Sequence, residues 1–265
     1  MDLGLKDKKA LVTGASTGLG AAVALELARE GASLIINSRS EERLEKAADK
    51  IEKTTGVRPQ TVAADIATEK GLALVREVVC QDNKKGSVDI LFSNTGGPPP
   101  GQFLALPETV WDESANLLLN SAIKLTRMVL EGMIERRWGR LIYLTSISVL
   151  QPVDDLLLSN TYRAAVTAFC KTVSNNYARF GITANCVCPG YTATERLQNL
   201  AQKWANDAGK TAEDILKGFG EGAAVKRVGQ PEELAALVTY LASERAAFIT
   251  GSSIAVDGGA NRALI

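Results

Sequence analysis

The chain has 265 residues, of which 46% are hydrophobic, and its 30 basic residues balance 30 acidic residues. This composition is typical of a folded globular protein and excludes a largely disordered one. Because the net charge is zero and no basic stripe is present, we expect no nucleic-acid partner.

Strand and helix patterns alternate along the whole chain. Short apolar runs without polar alternation predict buried strands at 8–14, 33–38, 58–65, 87–94, 139–146, 181–190 and 252–259. Helical patterns lie at 18–31, 40–56, 69–83, 107–138, 159–180 and 231–243, and the fourth reads as one long helix or two broken ones. The alternation predicts an α/β fold, a single doubly wound parallel sheet of Rossmann type with helices on both faces.

We expect residues 1–265 to form a single domain, since no linker or repeat interrupts the pattern. Residues 192–228 lack a clear periodicity. They predict either a helical lid on the substrate side or an ordinary pair of surface helices.

The sequence contains no apolar run long enough for a signal peptide or a membrane span, so we expect a cytoplasmic protein without membrane contact. The chain has no histidine, which excludes Ser-His-Asp and Cys-His hydrolysis. Cys186 and Cys188 form a C-x-C pair in a predicted strand. With no histidine and no second pair, buried thiols are favoured over a metal site, and no metal is expected.

A glycine-rich segment, TGASTGLG at 13–20, follows the first predicted strand and opens the first helix. Gly14 permits a tight turn, Gly18 lets the backbone approach a pyrophosphate, and Gly20 lets helix and strand pack closely. Free N–H groups at the helix N-terminus favour the phosphate charge. This placement predicts a dinucleotide site.

The residues at the end of the second strand indicate which dinucleotide is bound. A carboxylate there accepts hydrogen bonds from a ribose 2′-hydroxyl, but this chain has Asn37, Ser38 and Arg39 instead. Arg39 can pair with a 2′-phosphate, so the sequence favours NADP(H) over NAD(H). The alternative is that Arg39 is a solvated surface arginine.

The spacing of these glycines resembles the T-G-x-x-x-G-x-G motif of the short-chain dehydrogenase/reductase family. Segments resembling that family follow in its order, at 93–97, 145–148, 188–194 and 227–259. The resemblance implies the fold above, a nicotinamide cofactor and a likeness to reductases of 3-oxoacyl thioesters or of a sugar-like alcohol. With the physical argument it gives these candidate cofactor residues: Gly14, Ser16, Thr17, Gly18, Leu19, Gly20, Ser38, Arg39, Asp65, Ile66, Asn94, Gly96, Arg163, Pro189 and Gly190.

The same resemblance predicts a catalytic serine, tyrosine and lysine with a helical asparagine, and this chain matches only the serine, Ser146. The tyrosine position holds Ser159, the lysine position holds Arg163, and the asparagine position holds Leu118. Since Ser159 and Arg163 are four residues apart, they share a helix face. Arg163 keeps its proton near neutral pH, and Ser159 is a poor acid that can relay a proton. Tyr162 is an alternative acid, or else a helix-packing tyrosine.

Two functions fit these residues. The first is an NADP(H)-dependent oxidoreductase that interconverts a carbonyl and an alcohol on a small or acyl substrate, using Ser146, Ser159, Tyr162 and Arg163. The second is a cofactor-binding protein with little or no redox turnover, a sensor or partner subunit. The resemblance also implies a homo-oligomer, a tetramer or dimer, formed through the helices at 107–137 and 159–180.

Overall fold

The computed structural model describes residues 1–80 and 86–263. The strands in this part of the chain are β1 (Lys9–Thr13), β2 (Ser33–Ser38), β3 (Gln60–Ala63), β4 (Ile90–Ser93), β5 (Gly139–Leu144), β6 (Ile182–Pro189) and β7 (Ser253–Val256). All seven are parallel and form one sheet in the order β3-β2-β1-β4-β5-β6-β7. The predicted fold class is confirmed.

The helices lie between the strands as the alternation predicts. In the described residues they are α1 (Gly18–Arg29), α2 (Glu41–Thr55), α3 (Glu69–Val79), α4 (Glu108–Ala115), α5 (Ser121–Arg136), α6 (Leu157–Tyr177), α7 (Glu195–Ala208), α8 (Ala212–Gly222) and α9 (Pro231–Ala242). Glycines in left-handed conformations follow α2 and α7, where a side chain at Cβ would be strained.

The two faces of the sheet carry separate cores. One core lies under α1, α2 and α9 and includes Val23. The other lies under α3, α5 and α6 and includes Leu125. Cys186 and Cys188 are buried free thiols in this second core, as the sequence predicted. Because both faces are covered, the central strands are mostly apolar, with buried polar exceptions at Arg140, Thr183 and Asn185.

The order of the strands fixes where a ligand can bind. The chain runs from β1 outward to β2 and β3, then crosses back so that β4 pairs with the other side of β1. This reversal opens a crevice between the loops that follow β1 and β4. Since all strands are parallel, their carboxyl ends meet at that same edge.

Several elements differ from the sequence prediction, and β3, β4 and β7 each span four residues where eight were predicted. β3 is shorter than 58–65 because only Gln60–Ala63 pairs with β2. The helical region at 107–138 consists of α4 and α5 joined by a π-helical turn at Asn116–Asn120. The third helix ends at Val79, and the predicted extension over 81–83 lies outside the described residues.

Residues 192–228 contain the helix pair α7 and α8. The Thr194 hydroxyl caps α7 by accepting a hydrogen bond from the Leu197 N–H, with 3.2 Å between oxygen and nitrogen. Leu197 and Phe219 belong to a small core between the two helices, and Tyr191 stacks on Phe219 with 3.9 Å between ring centroids. The pair is therefore an ordered unit packed beside the carboxyl edge of the sheet.

Candidate active site

One cavity of about 590 Å³ runs along the carboxyl edge of the sheet. Residues from the turns after β1, β2, β3, β4, β5 and β6 line it, together with α6 and the start of α7. The glycine-rich turn lies at one end, and Ser146, Ser159 and Arg163 lie at the other. The topology thus brings together segments that are far apart in sequence.

The glycine-rich turn is closely packed against Asn94. The side-chain amide of Asn94 donates to the Gly14 carbonyl at 3.2 Å, and the Thr13 hydroxyl donates to the Asn94 carbonyl at 2.7 Å. Gly14 and Gly18 have φ of +60° and +56°. A Cβ on Gly20 would lie 2.1 Å from the Gly14 carbonyl oxygen. The roles predicted for Gly14 and Gly20, turn and close packing, match this geometry.

The N-terminus of α1 faces the cavity with its backbone groups. Ser16, Thr17, Gly18 and Leu19 line the cavity, and the Thr17 side chain makes no capping hydrogen bond to the described residues. The first-turn N–H groups and the helix dipole therefore suit an anion. Thr194 packs against Gly18 from the opposite side, where a Cβ would lie 3.3 Å from its methyl carbon. A dinucleotide diphosphate fits this narrow, uncharged turn.

The end of β2 presents one arginine to the cavity. Asn37 is buried and donates to the carbonyls of Val62 and Ala64, so it holds β2 against the end of β3. Ser38 and Arg39 line the cavity, and Arg39 is exposed. Across residues 1–80 and 86–263, the Arg39 guanidinium makes no hydrogen bond or ion pair. It is free to bind an anion.

Further candidate cofactor residues line the cavity after β3 and β6. Asp65 and Ile66 follow β3, and one carboxylate oxygen of Asp65 accepts from the Ala67 N–H at 3.0 Å. Gly190 donates its N–H to the Val256 carbonyl at 3.0 Å. Every candidate cofactor residue lines the cavity except Gly20, which packs beneath the turn; the others are Gly14, Ser16, Thr17, Gly18, Leu19, Ser38, Arg39, Asp65, Ile66, Asn94, Gly96, Arg163, Pro189 and Gly190.

At the other end of the cavity, Arg163 connects α6 to β5. Its Nε donates to the Ser159 hydroxyl oxygen at 3.1 Å, and its Nη1 donates to the Leu144 carbonyl at 2.8 Å. Ser159 and Arg163 are both buried. Ser146 follows the end of β5, two residues after Leu144. Its hydroxyl oxygen accepts a hydrogen bond from the Ser148 N–H at 3.1 Å. The structure therefore brings Ser146, Ser159 and Arg163 to one cavity.

Arg163 is a buried cation without an acidic partner among the described residues. Burial, and then the positive charge of Arg196, lower its pKa to about 10. The guanidinium therefore stays protonated at neutral pH, even though its surroundings disfavour the charge. A cation held this way favours negative charge on any ligand atom beside it.

Tyr162 and Leu118 lie outside the lining of this cavity. The Tyr162 ring packs edge-on against Trp111, with 6.2 Å between centroids. Burial, and then Asp112, raise the pKa of Tyr162. Leu118 is buried, and its neighbour Leu117 lines the cavity instead.

Two arginines of the cavity were not singled out in the sequence analysis. Arg43, from the first turn of α2, pairs with Glu195 at 3.1 Å. Arg196, from the first turn of α7, lies over Gly97. Both follow motif residues closely in sequence, after Arg39 and Thr194, and that spacing is the signal that could have marked them.

No group of three or more cysteines and carboxylates is placed to hold a metal ion in residues 1–80 and 86–263. No helix in this part of the chain has the length and hydropathy needed to cross a membrane.

The doubly wound sheet, the glycine-rich turn and the cavity at the crevice are typical of dinucleotide-binding proteins. Comparison with known proteins agrees. A family model described as enoyl-(acyl carrier protein) reductase matches residues 14–261. The chain is 32% identical to the 3-oxoacyl-(acyl-carrier-protein) reductase of Pseudomonas aeruginosa, covering 97% of this chain and 98% of that protein. It is 33% identical to dehydrogenase/reductase SDR family member 6 of Rattus norvegicus, covering 96% and 98%.

A similar solved structure is L-sorbose reductase from Gluconobacter frateurii, complexed with NADPH and L-sorbose. It is 34% identical and superposes with a TM-score of 0.93 over all of both chains. The chain belongs to the short-chain dehydrogenase/reductase family.

Proposed function

We propose that this chain is an NADP(H)-dependent oxidoreductase that interconverts a carbonyl and an alcohol on a small or acyl substrate. The observation that carries the proposal is the continuous cavity from the glycine-rich turn to Ser146, Ser159 and Arg163. A nicotinamide dinucleotide bound along it would supply or accept the hydride. The side chains of Ser146, Ser159 and Arg163 would then bind the substrate oxygen and transfer one proton to or from it.

The preference for NADP(H) rests on Arg39. Its guanidinium lines the cavity at the end of β2 without a partner in the described part of the chain, and no carboxylate occupies positions 37–39. The 2′-phosphate of NADP(H) would be attracted to this positive charge. The ribose 2′-hydroxyl of NAD(H) would have no carboxylate to accept its hydrogen bond. The structure of L-sorbose reductase with NADPH supports the same choice.

The substrate oxygen is proposed to bind between Ser146 and Ser159. Because the Ser159 oxygen accepts from Arg163, its own hydrogen is free to be donated into the cavity. Arg163 stabilises the negative charge that develops on the substrate oxygen. In reduction, hydride adds to the carbon and the oxygen takes a proton through Ser159, which solvent replaces. Oxidation runs the same steps in reverse.

Three further assignments belong to the same proposal. The chain is one dinucleotide-binding domain that acts on a small molecule. The pair α7 and α8 forms a lid on the substrate side, since the first turn of α7 lines the cavity. Tyr162 contributes by packing against Trp111.

The test follows NADPH absorbance with a broad panel of aldehydes and ketones. We expect turnover by the natural chain, and a loss of about 100-fold or more in kcat for Ser159→Ala. Tyr162→Phe should keep most of the activity; a loss as large as that of Ser159→Ala would assign the proton to Tyr162 instead. The double variant Ser159→Tyr with Arg163→Lys restores the family pattern and controls for a sound scaffold.

The same samples test the cofactor and the competing function. Arg39→Ala should weaken NADPH binding about 10-fold or more and leave NADH binding nearly unchanged. Only NADPH has the 2′-phosphate that forms a charge-assisted contact with Arg39. Tight NADPH binding by the natural chain, with turnover only by the double variant, would instead support a cofactor-binding protein without ordinary carbonyl reduction.

A further inference from the structure

Arg196 is a cation inside the cavity that the proposed chemistry does not use. It is the second residue of α7, and its guanidinium lies directly over the Cα of Gly97. A Cβ at position 97 would lie 1.8 Å from Nη2 and 2.5 Å from Nη1 of Arg196. The backbone at Gly97 is not left-handed, and a methyl group at this position would displace the Arg196 guanidinium.

This arginine has no anion to neutralise it. Its side chain makes no hydrogen bond or ion pair within residues 1–80 and 86–263. The adjacent carboxylate, Glu195, pairs with Arg43 instead. The residue as a whole is exposed because the cavity is open beside it, yet burial of the guanidinium lowers the pKa of Arg196.

Arg163 makes the same end of the cavity more positive. The two guanidinium groups are close enough for the charge of Arg196 to lower the pKa of Arg163. Arg163 has hydrogen-bond partners, Ser159 and Leu144, but both are neutral. Two like charges that share a partly desolvated cavity are unfavourable unless a ligand brings negative charge.

We propose that Arg196 binds a carboxylate of the substrate, so that the substrate is an oxo acid or the corresponding hydroxy acid. This inference rests on the proposed function, since it assigns the substrate class of the same site. A planar carboxylate can receive two parallel hydrogen bonds from one guanidinium. Arg163 then remains beside the reacting oxygen.

The diphosphate of the cofactor is the other anion that could reach Arg196, and the test separates the two. The panel consists of 2-oxo, 3-oxo and 4-oxo acids of three to eight carbons, each paired with its methyl ester. The natural chain should reduce at least one acid with a kcat/KM at least 10-fold above that of its ester. Arg196→Met should lower kcat/KM for the acid about 100-fold and change that for the ester less than 3-fold. Arg196→Lys should recover part of the loss.

Two variants sharpen the comparison. Lys203→Met removes a cation from the same helix outside the cavity, where Lys203 donates to the Pro100 carbonyl, and should leave the acid-to-ester ratio unchanged. Gly97→Ala keeps the arginine but displaces its guanidinium, and should lower the ratio as Arg196→Met does.

A calorimetric readout keeps this inference separate from the proposed function. Straight-chain carboxylic acids of three to eight carbons, which cannot be reduced, are titrated into the protein saturated with NADPH. If no carbonyl is turned over but acids bind to the natural chain and not to Arg196→Met, the carboxylate site stands and the proposed reaction fails. If no acid binds the natural chain, the inference is wrong. It is equally wrong if Arg196→Met weakens NADPH binding 10-fold and leaves the acid-to-ester ratio unchanged.

Discussion

Arg163 lowers the stability of the folded protein, and its positive charge lies in the cavity that we propose as the active site. Its guanidinium is buried with only neutral partners in the described residues, and burial lowers its pKa to about 10. The charged form is therefore less favourable in the folded protein than in the unfolded chain. Retaining such a group is typical of a functional site, where activity is obtained at the expense of stability.

A single substitution measures that cost. Arg163→Met removes the buried charge and keeps most of the side-chain volume, so we expect it to stabilise the fold by about 1–3 kcal/mol. The same variant should lose carbonyl turnover, since Ser159 and the substrate oxygen lose their cation. Thermal and urea unfolding give the first quantity, and the NADPH assay gives the second. A lower melting temperature would mean that the hydrogen bond to Leu144 outweighs the cost of the charge.

The glycines and arginines of the site differ in how far the sequence reveals them. Gly14, Gly18 and Gly20 are predictable because one local turn requires all three. Arg43 and Arg196 come from the first turns of α2 and α7, which meet only in the folded chain. Their positions soon after Arg39 and Thr194 are visible in the sequence, but the approach of the two helices across one cavity is not.

At the scale of elements, the parallel strands are the most predictable part of the fold. Most of them are apolar runs between turn residues, because both faces of the sheet are covered. Their bounds depend on pairing with a neighbour, which explains why β3 is limited to the four residues that meet β2. The ends of the strands therefore depend on tertiary contacts, which the local sequence pattern does not reveal.

The helical region between β4 and β5 is less predictable than the strands. Its pattern allows one helix or two, and the structure inserts the π-helical turn Asn116–Asn120 between α4 and α5. In this turn the Asn120 amide donates to the Asn116 side chain at 2.8 Å, and Leu118 is buried. A wide turn of this kind is frequent at functional sites, and here Leu117 reaches the cavity.

At the scale of the whole molecule, several large apolar side chains lie on the surface. Phe103 and Leu104 precede α4, and Ile123 lies on α5 within 107–137, where the family resemblance places subunit contacts. Phe248, between α9 and β7, is also fully exposed. Exposed apolar groups near predicted contact helices favour association between copies of the chain.

We therefore expect a homo-oligomer, a dimer or tetramer, with a mass two or four times the 28.2 kDa of the chain in light scattering. Ile123→Glu should shift the mass toward the monomer, because the contact would have to bury an unpaired carboxylate. Val57→Glu, at an exposed apolar residue after α2, controls for the added charge and should leave the mass unchanged. Circular dichroism of both variants should match the natural chain. A natural chain that stays monomeric at all concentrations tested would contradict the expectation, and an unchanged mass for Ile123→Glu would move the contact away from α5.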